Sequence, residues 1–156
     1  MQNYSKFGRF LEEFTVGQII QHKTTKKITE EDNKTFCILT HNNHPLHLDD
    51  EYAKNTMFKK KVAVGTYIVS LVVGLSVEDI SGKAIANLDY EKIIHHAPVF
   101  FGDVIRVETE ILEIRDSKTK SDRGIVYVES LAYNQDNVKV LTLRRHILIP
   151  KKYKHD

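Results

Sequence analysis

The run Thr40-His41-Asn42-Asn43-His44-Pro45-Leu46-His47-Leu48-Asp49 gathers three histidines, two asparagines and a proline into one short part of a 156-residue chain. Imidazole exchanges protons near neutral pH, so such a run suits acid–base chemistry. His41, His44 and His47 recur at every third position, a spacing that also invites a metal ion. Against a metal stand the lack of a cysteine or glutamate in the run and the presence of Pro45, which breaks the helix that would align the rings. A polar turn whose side chains cap the neighbouring helices is the third reading. Residue types alone leave these open.

Something must hold that loop in place. On its N-terminal side Thr29 reads as a helix cap, with Glu30, Glu31 and Asp32 in the first turn, where the helix dipole favours acidic groups. Phe36, Cys37, Leu39 and Thr40 continue this helix, which ends before Pro45 because the residue ahead of a proline is pushed out of helical geometry. On the C-terminal side Asp49 and Asp50 cap a short helix over Glu51 to Asn55. Farther on, Gly65 to Ile80 carries no charge until Glu78. Its apolar residues cover most of a helical surface, as in an element buried on nearly all sides. A buried strand competes, since β-branched residues are plentiful, but the length favours a central helix, closed by Ser81-Gly82. It is too short, and too interrupted by small polar residues, for a good membrane span.

The rest reads as sheet. Gln18 to Ile28 is extended after a turn at Val16-Gly17, and Phe7, Phe10, Leu11 and Phe14 ahead of it need a surface to pack on. Ala84 to Ile94, Val104 to Ile114, Gly124 to Tyr133 and Val138 to Ile149 are strands joined by short polar connections, which makes antiparallel hairpins. Within Val104 to Ile111 the residues alternate as a half-buried strand does. Several strands and one buried helix give an α+β fold. The length fits one domain over residues 1–156, with a core from about 10 to 150.

Composition narrows the function classes. A chain that is 41% hydrophobic and 28% charged buries an ordinary core. A formal net charge of +2 gives no global reason to expect nucleic acid or an anionic membrane as partner. Cys37 is the one cysteine, so no intrachain disulfide forms, and a reducing compartment such as the cytoplasm is expected. Met1 to Phe14 lacks the apolar run of a secretory signal.

Asn42-x-His44-Pro45-Leu46-His47-Leu48-Asp49 resembles the MaoC-like dehydratase signature Asp-x-Asn-Pro-[Leu/Ile]-His-x-Asp. The order of features is similar too. A Thr29-x-x-Asp32 helix start precedes the motif, the central helix with Gly65 follows it, and Pro98-Val99-Phe100-Phe101-Gly102-Asp103 is similar to the family's Pro-Val-Phe-x-Gly-Asp. The likeness covers about Phe10 to Pro150. The family contains (R)-specific enoyl-CoA hydratases, so it implies a single hotdog fold, an antiparallel sheet wrapped around a long central helix. It also implies hydration or dehydration of an acyl-CoA thioester, a homodimer or an oligomer of dimers, and no cofactor or metal beyond coenzyme A as part of the substrate.

In such hydratases an Asp and a His hold the water and act as general acid and base, a backbone N–H at the start of the central helix stabilises the thioester oxygen, and a Ser in that helix supports the site. The matching positions here are Asn42, His47, Gly65 and Ser70. His44 stands where the family usually has Asn, and Val64 where many members have His. Asn42 cannot take up a proton near neutral pH. Three outcomes follow: Asn42 positions water while His47 moves the proton; His44 or His41 supplies the missing base; or the protein binds acyl thioesters without hydrating them, as a regulatory domain. A hotdog thioesterase fits less well, because no carboxylate precedes Glu78 on the central helix. Plainer roles compete: a loop hydrogen bond for His47, packing for Ser70 and Gly65, and a solvated surface for Lys59-Lys60-Lys61 and Arg144-Arg145, which could instead meet coenzyme A phosphates. His95 and His96 read as surface loop.

Overall fold

A computed structural model describes residues 6–152. Four long strands, β3 (Ala86–His95), β4 (Val104–Asp116), β5 (Arg123–Tyr133) and β6 (Lys139–Pro150), join the short β1 (Ile19–Gln21) in an antiparallel sheet ordered β1-β4-β5-β6-β3, and the two-residue β2 (Lys26–Lys27) also pairs with β4. The single expected strand from Gln18 to Ile28 is therefore broken. Gln21 faces Glu108 and Lys26 faces Ile105, so the chain between them loops out against a shorter stretch of β4. Buried residues alternate along β4 and β5, with Ile105, Val107, Thr109 and Ile111 facing inward.

The sheet wraps α3 (Gly65–Ser76), which runs on into a wider turn, Val77–Ser81. Ile68, Val72, Ser76 and Ile80 face the sheet and are fully buried. This corrects the expectation of a helix buried on nearly all sides. Thr66, Ser70 and Gly74 form an exposed row, since one sheet of a single chain covers only one face of a helix. The core has two parts. Ile68 and Val72 pack with Ile28, Val99, Ile105, Val107, Ala132, Leu141 and Leu143. Beyond the end of α3, Ile80 packs with Ile111, Val126, Val128, Ile147 and Ile149, and Leu11 and Phe14 of the N-terminal lead-in close over it.

Two helices lie outside this wrap. In α1 (Glu30–Thr40) the Thr29 hydroxyl accepts the Asp32 N–H, as expected of its cap. In α2 (Asp50–Lys54) Asp49 does the same for Tyr52. The helix α1 ends at His41, which adopts left-handed geometry (φ 57°), and the Asn42 N–H reaches back to the Cys37 carbonyl at 3.0 Å. That closure turns the histidine-rich run towards the start of α3.

Candidate active site

Pro45–His47 forms one 3-10 turn between α1 and α2. His47 lies on it, half-buried, and its Nδ1 is 2.8 Å from the Val62 carbonyl oxygen. A carbonyl only accepts, so Nδ1 carries the hydrogen and donates it. The opposite nitrogen, Nε2, is then the acceptor of the neutral ring, and the ring borders a cavity of about 350 Å³. Such a nitrogen can take a proton from water.

The wall opposite is the start of α3. Val64 provides no side-chain cap. The Ile68 N–H, 3.3 Å from the Val64 carbonyl, makes an intrahelical bond one turn in. The N–H groups of Gly65, Thr66 and Tyr67 come before that turn is closed and have no carbonyl ahead of them in the helix. This end of the helix attracts negative charge. Apolar groups such as Phe58, Val62, Ile68, Val99 and Val140 line most of the rest. No carboxylate, lysine or arginine is among the described residues that line the cavity.

Three devices fix this geometry. Gly102 takes φ 98° in the turn from Phe100 to Asp103, whose carboxylate accepts the Phe100 N–H at 2.9 Å. A side chain would be strained there, which accounts for the Gly102-Asp103 pair. The turn sets Val99, whose carbonyl accepts the Ala63 N–H at 2.8 Å and so locates the approach to α3. The third device is Asn33 of α1, completely buried. Its Oδ1 accepts the Val64 N–H at 2.9 Å and its Nδ2 donates to the His47 carbonyl at 3.3 Å. One carboxamide thus ties the histidine turn to the start of α3.

Of the site residues expected from the family resemblance (Asn42, His44, His47, Gly65 and Ser70), His47 and Gly65 line the cavity and the other three do not. Asn42 is half-buried in the adjoining loop, where its Oδ1 accepts the His44 N–H at 3.2 Å. His44 is exposed, its Nδ1 accepts the Leu46 N–H at 3.1 Å, and its ring meets Tyr52 edge-on. Ser70 is exposed on α3. The His44 and His47 rings lie 5.9 Å apart, centre to centre, but no cluster suited to a metal ion occurs among the described residues. The cationic runs are mostly committed elsewhere: Lys61 is buried and paired with Glu30 and Asp50, Arg144 with Glu129, and Arg145 lies inside. Lys59 remains exposed, and Lys60 sits over the Phe100 ring at 4.2 Å.

Sequence reasoning passed over Asn33 and the placing of His95 and His96 at the cavity. Both histidines are exposed, as expected of surface residues, and His96 lies in the connection after β3, but His95 is the last residue of that strand, and both residues line the cavity. A Cβ added to Gly65 would lie 2.9 Å from His95 Cε1 and 3.1 Å from its Nε2. The glycine makes room for that ring.

The MaoC like domain model matches residues 12–134. The chain belongs to this family. Its fold is the hotdog fold. This MaoC-like domain is 31% identical over 145 residues to the beta-methylmalyl-CoA dehydratase of Chloroflexus aurantiacus, a match covering 93% of this chain and 41% of that protein. The domain thus spans about two fifths of that relative's length. It is 30% identical over 103 residues to the (R)-specific enoyl-CoA hydratase of Aeromonas caviae, covering 66% of this chain and 75% of the relative. A monoamine oxidase regulatory protein from Archaeoglobus fulgidus superposes with a TM-score of 0.83 at 30% identity, over 94% of this chain and 97% of the other. No helix among the described residues is long and apolar enough to cross a membrane.

Proposed function

We propose that this domain hydrates, and in reverse dehydrates, an enoyl thioester of coenzyme A. The observation that carries the reading is His47: anchored through Nδ1 on Val62, it presents Nε2 to an apolar cavity that the open start of α3 also borders. Water held at Nε2 would lose a proton as its oxygen attacks Cβ of the enoyl group, and the Gly65 N–H would receive the negative charge growing on the thioester oxygen. The names of the Chloroflexus and Aeromonas relatives supply the substrate class. Asn42 would shape the loop beside His47 through its bond from the His44 N–H, Ser70 would serve from the exposed face of α3, and no cofactor would be needed beyond the coenzyme A of the substrate. The working unit is at least a homodimer, since β3 is an edge strand that leaves Leu88, Tyr90 and Ile93 exposed.

A second reading, a thioester-binding domain without catalysis, draws on Asn42, which cannot exchange a proton in the place of the family's Asp. One comparison separates the two. Native and Asn42→Asp proteins are incubated with crotonyl-CoA and with a dicarboxylic enoyl-CoA, and the absorbance of the conjugated thioester is followed. Hydration by the native protein supports the first reading. Hydration only after Asn42→Asp supports the second. Inactivity of both, with no thioester binding by calorimetry, overturns both.

A further inference from the structure

Replacing the family's Asp by Asn42 leaves one proton-transfer group where hydration calls for two events: a proton leaves water, and a proton reaches Cα. The loop histidines do not fill the gap. His41 closes α1 in the solvent, and His44 spends Nδ1 on the Leu46 N–H. Neither borders the cavity. The rings that do, apart from His47, come from the far end of β3. His96 is tied through Nε2 to the Thr142 hydroxyl at 2.8 Å. His95 lies against Gly65, with Cε1 and Nε2 its atoms nearest to where a Cβ would stand. A thioester whose oxygen sits on the Gly65 N–H would therefore bring its reacting carbons close to the His95 ring.

Resting on the hydratase reading, we infer that His95 is the second catalytic residue, the proton donor to Cα, in a pair with His47. His47 Nε2 takes a proton from water as the water oxygen bonds to Cβ. The C=C electron pair moves onto the thioester carbonyl. As that charge returns, Cα bonds to a proton released by the His95 imidazolium. One water is consumed, His47 has gained a proton and His95 has lost one, and exchange with solvent resets both. The charged surroundings of His95 are simple. α3 turns Gly65 to it, β6 contributes Val140 and Leu141, and among the described residues the only titratable groups that line the cavity with it are His47 and His96.

The test is the pH dependence of crotonyl-CoA hydration in native, His95→Gln, His95→Ala and His41→Asn proteins. His47 must be neutral and His95 protonated, so the native profile of kcat/KM is bell-shaped. Both His95 variants should lose about 10²-fold in kcat with little change in KM, and should lose the alkaline fall while keeping the acid one. His41→Asn should match the native protein. Glutamine still donates a hydrogen bond but cannot give up a proton. Near-native kcat or an intact bell in His95→Gln would overturn the inference while leaving the hydratase reading standing. Histidine signals followed by NMR during titration with the saturated analogue butyryl-CoA give a readout that needs no turnover. His95 and His47 should shift together, and a silent His95 removes it from the site. Native protein that binds butyryl-CoA yet hydrates no enoyl thioester overturns the hydratase reading, and the inference with it.

Discussion

The two ends of α3 are built to opposite rules. At the start, Val64 offers no cap, the first N–H groups are left open, and the neighbouring wall is apolar except for histidines. At the finish buried side chains are gathered into a network, although Arg145 Nε is left without a partner among the described residues. Arg145 is 2% exposed and donates to Asn87, Ser76 and Ser81 at 3.0–3.2 Å. Beside it His22 bridges Asp79 and Thr109, each at 2.8 Å, and Thr109 meets Ser130 at 2.7 Å. Among the described residues no carboxylate is a hydrogen-bond partner of Arg145. Burial pushes its guanidinium pKa down from the ordinary value, with Tyr90 opposing the shift, and a positive charge suits the C-terminal end of a helix such as α3. An open helix start keeps unsatisfied donors available to a ligand, whereas a sealed helix end converts the same kind of polarity into structure.

If that contrast is right, the two ends must fail differently. The largest effect is expected at the open end. His47→Ala should lower the turnover of crotonyl-CoA by about 10²–10⁴-fold. The Val62 carbonyl loses one partner, so the denaturant midpoint should move little, by less than about 1.5 kcal/mol in stability. Turnover that survives the substitution would break the comparison at once.

The mirror experiment is Arg145→Ala. It removes a buried side chain, leaves Ser76, Ser81 and Asn87 without their donor, and should cost about 3 kcal/mol in urea unfolding. The variant that remains folded should hydrate crotonyl-CoA at the native rate, because α3 separates Arg145 from His47 by roughly 18 Å at 1.5 Å per residue. A fall in kcat in the folded fraction would mean that the two ends are coupled.

Asn33 sharpens the same point, because it is a structural device at the functional end. Asn33→Leu keeps the branched outline with bulkier methyl ends, and strands the Val64 N–H and the His47 carbonyl. Two effects should appear together: a loss of about 1–3 kcal/mol in stability, and a drop in kcat of roughly tenfold, since His47 and the start of α3 lose their common anchor. Loss of stability with kcat unchanged would show that the turn of Pro45–His47 holds its geometry without help.

What could be read in advance follows the range of the interactions. Strand alternation, the Thr29 and Asp49 caps, the Gly102 turn and the uncharged run of α3 are local patterns, and they recovered the sheet and the helix order. The break between β1 and β2 was hidden, because it depends on register against β4 and on His22 turning inward to Thr109. The exposed row on α3 was hidden too, because hydrophobicity alone does not say how many faces one sheet covers. At the site, His47 and Gly65 were legible from motif order. Asn33 was not: its partner Val64 lies 31 positions away, and a lone asparagine inside a capped helix carries no periodic signal. His95 was obscured by its neighbour His96 and by the end of a strand, where a polar pair resembles loop.

His41 supplies the smallest expected effect and the finest cut between chemistry and architecture in the histidine-rich run. Its φ of 57° places a residue with a Cβ in left-handed geometry at the end of α1. Glycine adopts that geometry without the steric penalty, and the penalty for a side chain is about 1–2 kcal/mol. Glycine also gains freedom in the unfolded chain, which takes back a part of the benefit. The net expectation for His41→Gly is a stabilisation of about 0.5–1 kcal/mol, read as a higher midpoint in urea, with hydration of crotonyl-CoA unaltered. A substitution that stabilises the fold but lowers kcat would show that the strained histidine is retained for the reaction, and would move the boundary of the open end outward from the cavity to the close of α1.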